Sequence, residues 1–196
     1  METDRAILRA AAELFHARGF STVRVDDIGT RAGVTGPAIY RHFAGKDEIL
    51  ATLFDEALDG LLAATVTSGP DAQSRLAGMV RAHATFVLAE RELTSIWTRE
   101  DHSLDPDTRR RILRRTEAYL ERWTRAIADV LPTCGGAEHR AAAHAALGLL
   151  NSFAHWPRES VGVQDLPDYV ARFVLAGLAA TPAAETPAPP SAAAAA

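Results

Sequence analysis

Between Arg31 and Lys46 the chain carries three cations, Arg31, Arg41 and Lys46, and no carboxylate, although its 196 residues sum to a formal net charge of -4. Tyr40 and His42 stand among them. These groups suit phosphates and base edges: an ammonium or a phenol holds a phosphate oxygen, and a guanidinium clamps a phosphate or pairs with guanine. Ala38, just before them, is small enough to meet a thymine methyl. A basic patch confined to one stretch of an acidic chain marks a specific contact, not a general attraction to polyanions.

Two short helices around a tight turn are needed to position these groups. Asp26 and Asp27 favour the positive first turn of one helix, Ile28 and Ala32 share its inner face, and Gly33 supplies a left-handed stop. Thr35 caps the next helix, Pro37 fits its first turn, and Ile39 and Phe43 turn inward. Gly36, Pro37, Ala38, Tyr40 and Arg41 then form its outward face. Gly36 and Ala38 let the helix sink into a major groove, with Tyr40 and Lys46 holding the backbone. A bare helical hairpin would have no need of Tyr40, His42, Phe43 and Lys46 together.

Through residues 11–20, 26–35 and 39–50 the chain resembles the TetR family of transcriptional repressors. The resemblance implies an N-terminal three-helix helix-turn-helix head that binds double-stranded DNA at a pseudo-palindromic operator. It also implies a larger helical body for ligand binding and homodimerisation. Thr35, Gly36, Pro37, Ala38, Tyr40, His42 and Lys46 fall at family positions that touch DNA. Arg24 departs from the pattern, since the family usually places a Ser or Thr N-cap there, and an arginine can reach a phosphate instead.

Apolar residues recur at helical spacing almost throughout and alternating β-branched runs are missing, which predicts an all-α protein. Helices are expected at 3–18, 47–65, 72–90, 93–99, 106–131, 137–155 and 166–179, with Gly19 closing the first, Asp105 opening the one at 106–131 and Asp165 the one at 166–179. The expected division is a DNA-binding head (1–48), an effector-binding and dimerisation body (49–180) and a disordered Ala/Pro tail (181–196). No membrane-length apolar run and no signal-peptide core is present, so cytoplasmic residence and no membrane partner are expected. The single cysteine, Cys134, excludes an internal disulfide and offers no metal spacing. No Ser/His/Asp order, phosphate loop or carboxylate pair with a base points to an enzyme, and no cofactor or metal is expected.

In the body, the Arg109–Arg115 run is offset by Asp105, Asp107, Glu117 and Glu121 and reads as a salt-bridged solvated face. Phe86, Trp97, His102, Tyr119, Trp123, Asn151 and His155, with His83, are the candidates for an effector pocket, because aromatic bodies with polar tips suit an apolar molecule held by a few hydrogen bonds. His144, Gly148, Asn151 and His155 form a polar stripe that serves either a pocket or an interface; His144 and His155 lie three turns apart, too far to share a metal ion. Ala142, Ala145 and Ala146, with Phe173, Val174 and Leu178, suit an isologous dimer contact. The 97–123 segment and the 150–156 run are similar to actinobacterial family members tied to lipid or acyl-thioester metabolism. Two functions follow: a repressor released by a small apolar effector, or a DNA-binding dimer whose body serves only dimerisation or a protein partner.

Overall fold

In the computed structural model, which describes residues 2–180, ten α-helices follow one another with no strand among the described residues. They are α1 (Glu2–Arg18), α2 (Val25–Ala32), α3 (Gly36–Ile39), α4 (Lys46–Ala64), α5 (Ala72–Ala89), α6 (Arg91–Glu100), α7 (Pro106–Val130), α8 (Gly136–Ser152), α9 (Arg158–Val161) and α10 (Leu166–Ala179). The expected Ala/Pro tail lies outside the described residues.

The caps explain most boundaries. Asp71 accepts the Ser74 amide at the start of α5, and Asp105 accepts the amides of Asp107 and Thr108 ahead of Pro106. Gly33 closes α2 in the left-handed region at φ 73°, a conformation that a Cβ would strain. Asp165 is a correction: it precedes α10 but sits at φ 55° with no side-chain capping bond. A second correction is α8, which stops at Ser152, and residues Phe153–His155 tighten into a 3-10 turn that buries Phe153.

Two apolar clusters share α4. The first joins Ile7, Ala11, Phe15, Ile28 and Ile39 of the head to Ile49, Leu50, Phe54 and Leu58, and takes in Ile96, Leu104 and Ile112 from the body. The second gathers Leu76 and Val80 of α5, Trp123 and Ile127 of α7, Leu150, Phe153, and Val170, Val174 and Leu178 of α10. Burial on this scale dominates the stability of both regions, at roughly 25 cal/mol per Å² of apolar surface removed from water.

Polar ties fasten α4 and α6 to their neighbours. Arg111 donates to Asp55 at 2.7 Å and Arg115 pairs with Asp55 and Asp59, so α4 supplies carboxylates to the arginine run beside the Asp107 of its own helix that pairs with Arg110. Arg122 donates to the carbonyls of Leu62 (2.9 Å) and Thr65 (2.8 Å), satisfying the open end of α4. From the end of α6, Glu100 accepts the Phe20 amide (3.3 Å) and Arg99 donates to the His16 carbonyl (3.0 Å). The head therefore meets the body through both α4 and α6.

The expected dimer residues divide. Ala146, Val174 and Leu178 are buried within this chain's own core and Ala142 is half-buried, because one face of α10 packs on α5 and one face of α8 packs on α7. Only Ala145 and Phe173 are exposed, Phe173 to 61% and beside Tyr169 at 56%.

Candidate functional site

The head has Gly33 as its left-handed stop and Pro37 in the first turn of α3, as expected, but Thr35 stands at the N-cap without a side-chain capping bond, and the outward faces change. Helix α3 is one turn long, and Ala38 is buried at 8% exposure rather than standing on its outward face. Gly36 approaches Asp26 closely, and a Cβ there would lie 2.6 Å from the Asp26 Oδ1, so that carboxylate would have to turn aside. Thr35, Pro37, Tyr40 and Arg41 do lie on the exposed face, with Tyr40 at 58%. Arg24 is also exposed; its amide donates to Asp27 Oδ2 at 3.0 Å, so half of a capping box survives without a Ser or Thr.

Three other charged groups are engaged within the head. Lys46 is the largest correction: its Nζ donates to the carbonyls of Phe20 (2.9 Å), Ser21 (3.3 Å) and Val23 (3.2 Å) and lies 4.4 Å from the Phe20 ring centroid. An ammonium has three N–H donors, and all three are taken. His42 Nδ1 sits 2.6 Å from Asp4 Oδ1, and Arg31 donates to Glu13 Oε2 at 2.7 Å, so α1 supplies the carboxylates missing from the local sequence. Of the cations expected at DNA, Arg24 and Arg41 enter no ion pair among the described residues.

In the body, a cavity of about 400 Å³ lies between α4, α5, α6, α7 and α8. Leu58 and Leu61 of α4, Phe86 and Val87 of α5, Leu93 and Trp97 of α6 and Leu147 of α8 give it apolar walls. Exposed Leu113 and Glu117 of α7 and His144 and Gly148 of α8 border its mouth. Phe86 is fixed in a notch, as a Cβ on Gly60 would lie 2.8 Å from its ring, and Trp97 packs edge-on against Phe54 at 4.8 Å. The wall residues of α4 and the threonines 94 and 116 carry no signal in the sequence beyond an inward stripe.

The cavity has one polar corner. His83, 1% exposed, lies 2.9 Å from the Tyr119 hydroxyl through Nδ1 and 3.0 Å from Asn151 Oδ1 through Nε2. An amide oxygen only accepts, so Nε2 carries the proton and Nδ1 accepts from the Tyr119 O–H. Burial depresses the imidazole pKa to about 4, against a smaller opposing effect of the Asn151 bond, and burial pushes the Tyr119 phenol up to about 12. Both groups are neutral at pH 7.

Of the expected pocket residues, Phe86, Trp97, Tyr119 and Asn151 border the cavity together with His83, His144 and Gly148. Three do not. Trp123 is fully buried behind Tyr119 and His83, with ring centroids 6.3 and 5.7 Å away. His102 is exposed in the 3-10 turn Asp101–Ser103, and His155 is exposed in the turn after α8, 3.3 Å from the Thr98 hydroxyl. The polar stripe of α8 thus faces the cavity as far as Asn151 and leaves it where the helix tightens.

A short helical hairpin on a three-helix head, joined by a long helix to a helical body with a cavity, defines a helix-turn-helix head on a larger helical body. Residues 7–53 match the profile of the bacterial regulatory proteins, tetR family, and residues 69–178 match the Tetracyclin repressor-like, C-terminal domain. The chain belongs to the TetR family of bacterial transcriptional regulators. It is similar to the HTH-type transcriptional activator FasR of Mycolicibacterium smegmatis, at 27% identity over 147 residues that make up 74% of this chain and 65% of FasR, just under two thirds of that relative's length. A tetR-family regulatory protein from Rhodococcus RHA1 superposes with a TM-score of 0.80 at 24% identity, covering 94% of this chain and 100% of that one. AibR, solved in complex with isovaleryl coenzyme A and operator DNA, gives a TM-score of 0.74 at 20% identity over 89% of this chain and 97% of its own. At these identities the two structures share the fold. No helix among the described residues is long and apolar enough to cross a membrane.

Proposed function

We propose that the chain is a cytoplasmic, homodimeric transcriptional regulator that grips double-stranded operator DNA through α2 and α3 and releases it when a small, mainly apolar molecule fills the body cavity. The observation that carries this is the position of the cavity on α4. Leu58 and Leu61 form its wall, while the same helix begins beside the reading hairpin and carries Ile49, Leu50 and Phe54 into the head cluster. A molecule that prefers one position of α4 changes the spacing of two reading heads in a dimer. Helix α6 supports the same coupling, since Leu93, Thr94 and Trp97 line the cavity and Arg99 and Glu100 hold α1 and the following turn. A body serving only dimerisation has no use for such a space, and the exposed Ala145, Tyr169 and Phe173 suit the two-fold contact. The coenzyme A complex of AibR, together with the resemblance of the 97–123 and 150–156 segments, favours acyl thioesters among the candidate effectors.

Selection of random duplexes by the purified protein, followed by footprinting, is expected to yield a pseudo-palindrome with half-site centres about 34–36 Å apart or a multiple of that. Arg41→Ala should weaken binding to all sequences and reduce the salt slope by about 1, whereas Pro37 substitutions should change which bases are preferred. Lys46→Met should leave the slope unchanged and lower the stability of the head by roughly 2 kcal/mol, because its ammonium bonds to carbonyls within the chain. Recovery of no preferred sequence would overturn the proposal, and a slope lost with Lys46 would return that residue to the phosphate contacts.

A further inference from the structure

The cavity's lining carries almost no charge. Among the described residues that border it there is no Arg or Lys, and the only carboxylate is Glu117 at the mouth, which accepts from Arg140 at 2.6 Å. The two imidazoles that border it, His83 and His144, differ: His144 is exposed at the mouth, and His83 is enclosed with both ring nitrogens bonded. Since the Asn151 Oδ1 accepts from His83, the amide's Nδ2 donors are directed elsewhere, and among the described residues His83 is the hydrogen-bond partner recorded for this side chain. Asn151 itself borders the cavity and is half-buried. The polar corner therefore offers a fixed hydrogen-bond donor and no formal charge.

Resting on the effector reading above, we propose that the polar corner of this cavity selects an uncharged hydrogen-bond acceptor at the end of an apolar chain, such as a carboxamide, ester, thioester or ketone, and excludes free carboxylates and amines. Asn151 is the specificity-determining residue, its amide donating to the carbonyl oxygen of the bound molecule. A carboxylate brought to the same corner would leave water with no cation to meet it, and an ammonium would find no free carboxylate. His83 cannot supply the missing charge cheaply, because burial disfavours its protonated form. Its part is to orient Asn151 through Nε2 while Tyr119 holds Nδ1, so that one tautomer and one amide orientation persist.

Titration calorimetry of the full chain with decanamide, methyl decanoate, decanoate and decylamine at about pH 7.5, where the acid and the amine are ionised, tests this. Decanamide and methyl decanoate should bind at least about tenfold more tightly than decanoate or decylamine. Asn151→Asp keeps an acceptor for His83 but removes the donor, so it should weaken decanamide by about tenfold or more and raise the affinity for decylamine. Decanoate binding the wild-type chain as tightly as decanamide would overturn the head-group assignment while leaving the effector site standing. Binding of none of the four by protein that still holds operator DNA would overturn the effector site itself. The wild-type comparison stands whether or not the variant folds.

Discussion

Replacing Trp123 with alanine should destabilise the protein by about 3–5 kcal/mol, the cost of truncating a fully buried large aromatic residue. The indole lies in the second apolar cluster with Ile127, Leu150 and Phe153, and its ring meets those of His83 and Tyr119 edge-on, at 86° and 70°. For a chain of this length each kcal/mol moves the midpoint by roughly 2–4 °C, so thermal denaturation followed by circular dichroism should show a fall of about 6–20 °C. Trp123→Phe should lose less than half as much, and its affinity for decanamide should remain near that of the wild type, because Trp123 stands behind the cavity and not in its wall. A loss below about 1 kcal/mol in Trp123→Ala would mean that the residue faces open space.

Acidification should be nearly as damaging. His83 has a folded pKa of about 4 against an ordinary 6.5, so the unfolded chain takes up its proton first. Below pH 6.5 the unfolded state then binds more protons than the folded one, and stability falls with falling pH. The contribution is complete above pH 6.5 and is lost down to about pH 4, amounting to about 3 kcal/mol. Asp71 and Asp105 add losses only at lower pH. Their carboxyls are held below 3.8, Asp71 first by its bond from the Ser74 amide and Asp105 first by its hydrogen bonding to Thr108. Urea denaturation at steps between pH 7 and pH 4 measures the slope, and His83→Gln should abolish it over that interval. An unchanged slope in the variant would remove His83 as its source.

The helices were legible because their ends are local chemistry. Asp105, Pro106 and Gly33 act through neighbours within a few residues, so the end of α2 and the start of α7 could be bounded from the sequence. Depth and tertiary pairing were not legible. Tyr119 and Trp123 share an inward stripe one turn apart, yet only the first reaches the cavity, because periodicity gives a direction and not a distance. His155 follows Asn151 at helical spacing, but the 3-10 turn at Phe153–His155 rotates it away. His102 is displaced by the corresponding turn after α6. Lys46 carries the charge expected of a phosphate ligand, and only the fold brings the carbonyls of residues 20, 21 and 23 to it. The carboxylates of Asp4 and Glu13 reach His42 and Arg31 from α1 in the same way. The cavity's polar corner joins residues 83, 119 and 151 from three helices, an arrangement no spacing announces.

Occupancy of the cavity and grip on the operator are held to be alternatives, and linkage makes that claim measurable. Coupling between two sites is reciprocal, so decanamide must lose affinity on operator-loaded protein by the factor by which it weakens the operator, a hundredfold effect corresponding to roughly 2.7 kcal/mol. The direct measurement is calorimetric titration of decanamide into the protein alone and into the protein saturated with its selected duplex. Weaker binding to the loaded protein, matched by decanamide-driven release in a gel shift, is the predicted result; equal affinity for the free and the DNA-bound protein would contradict it.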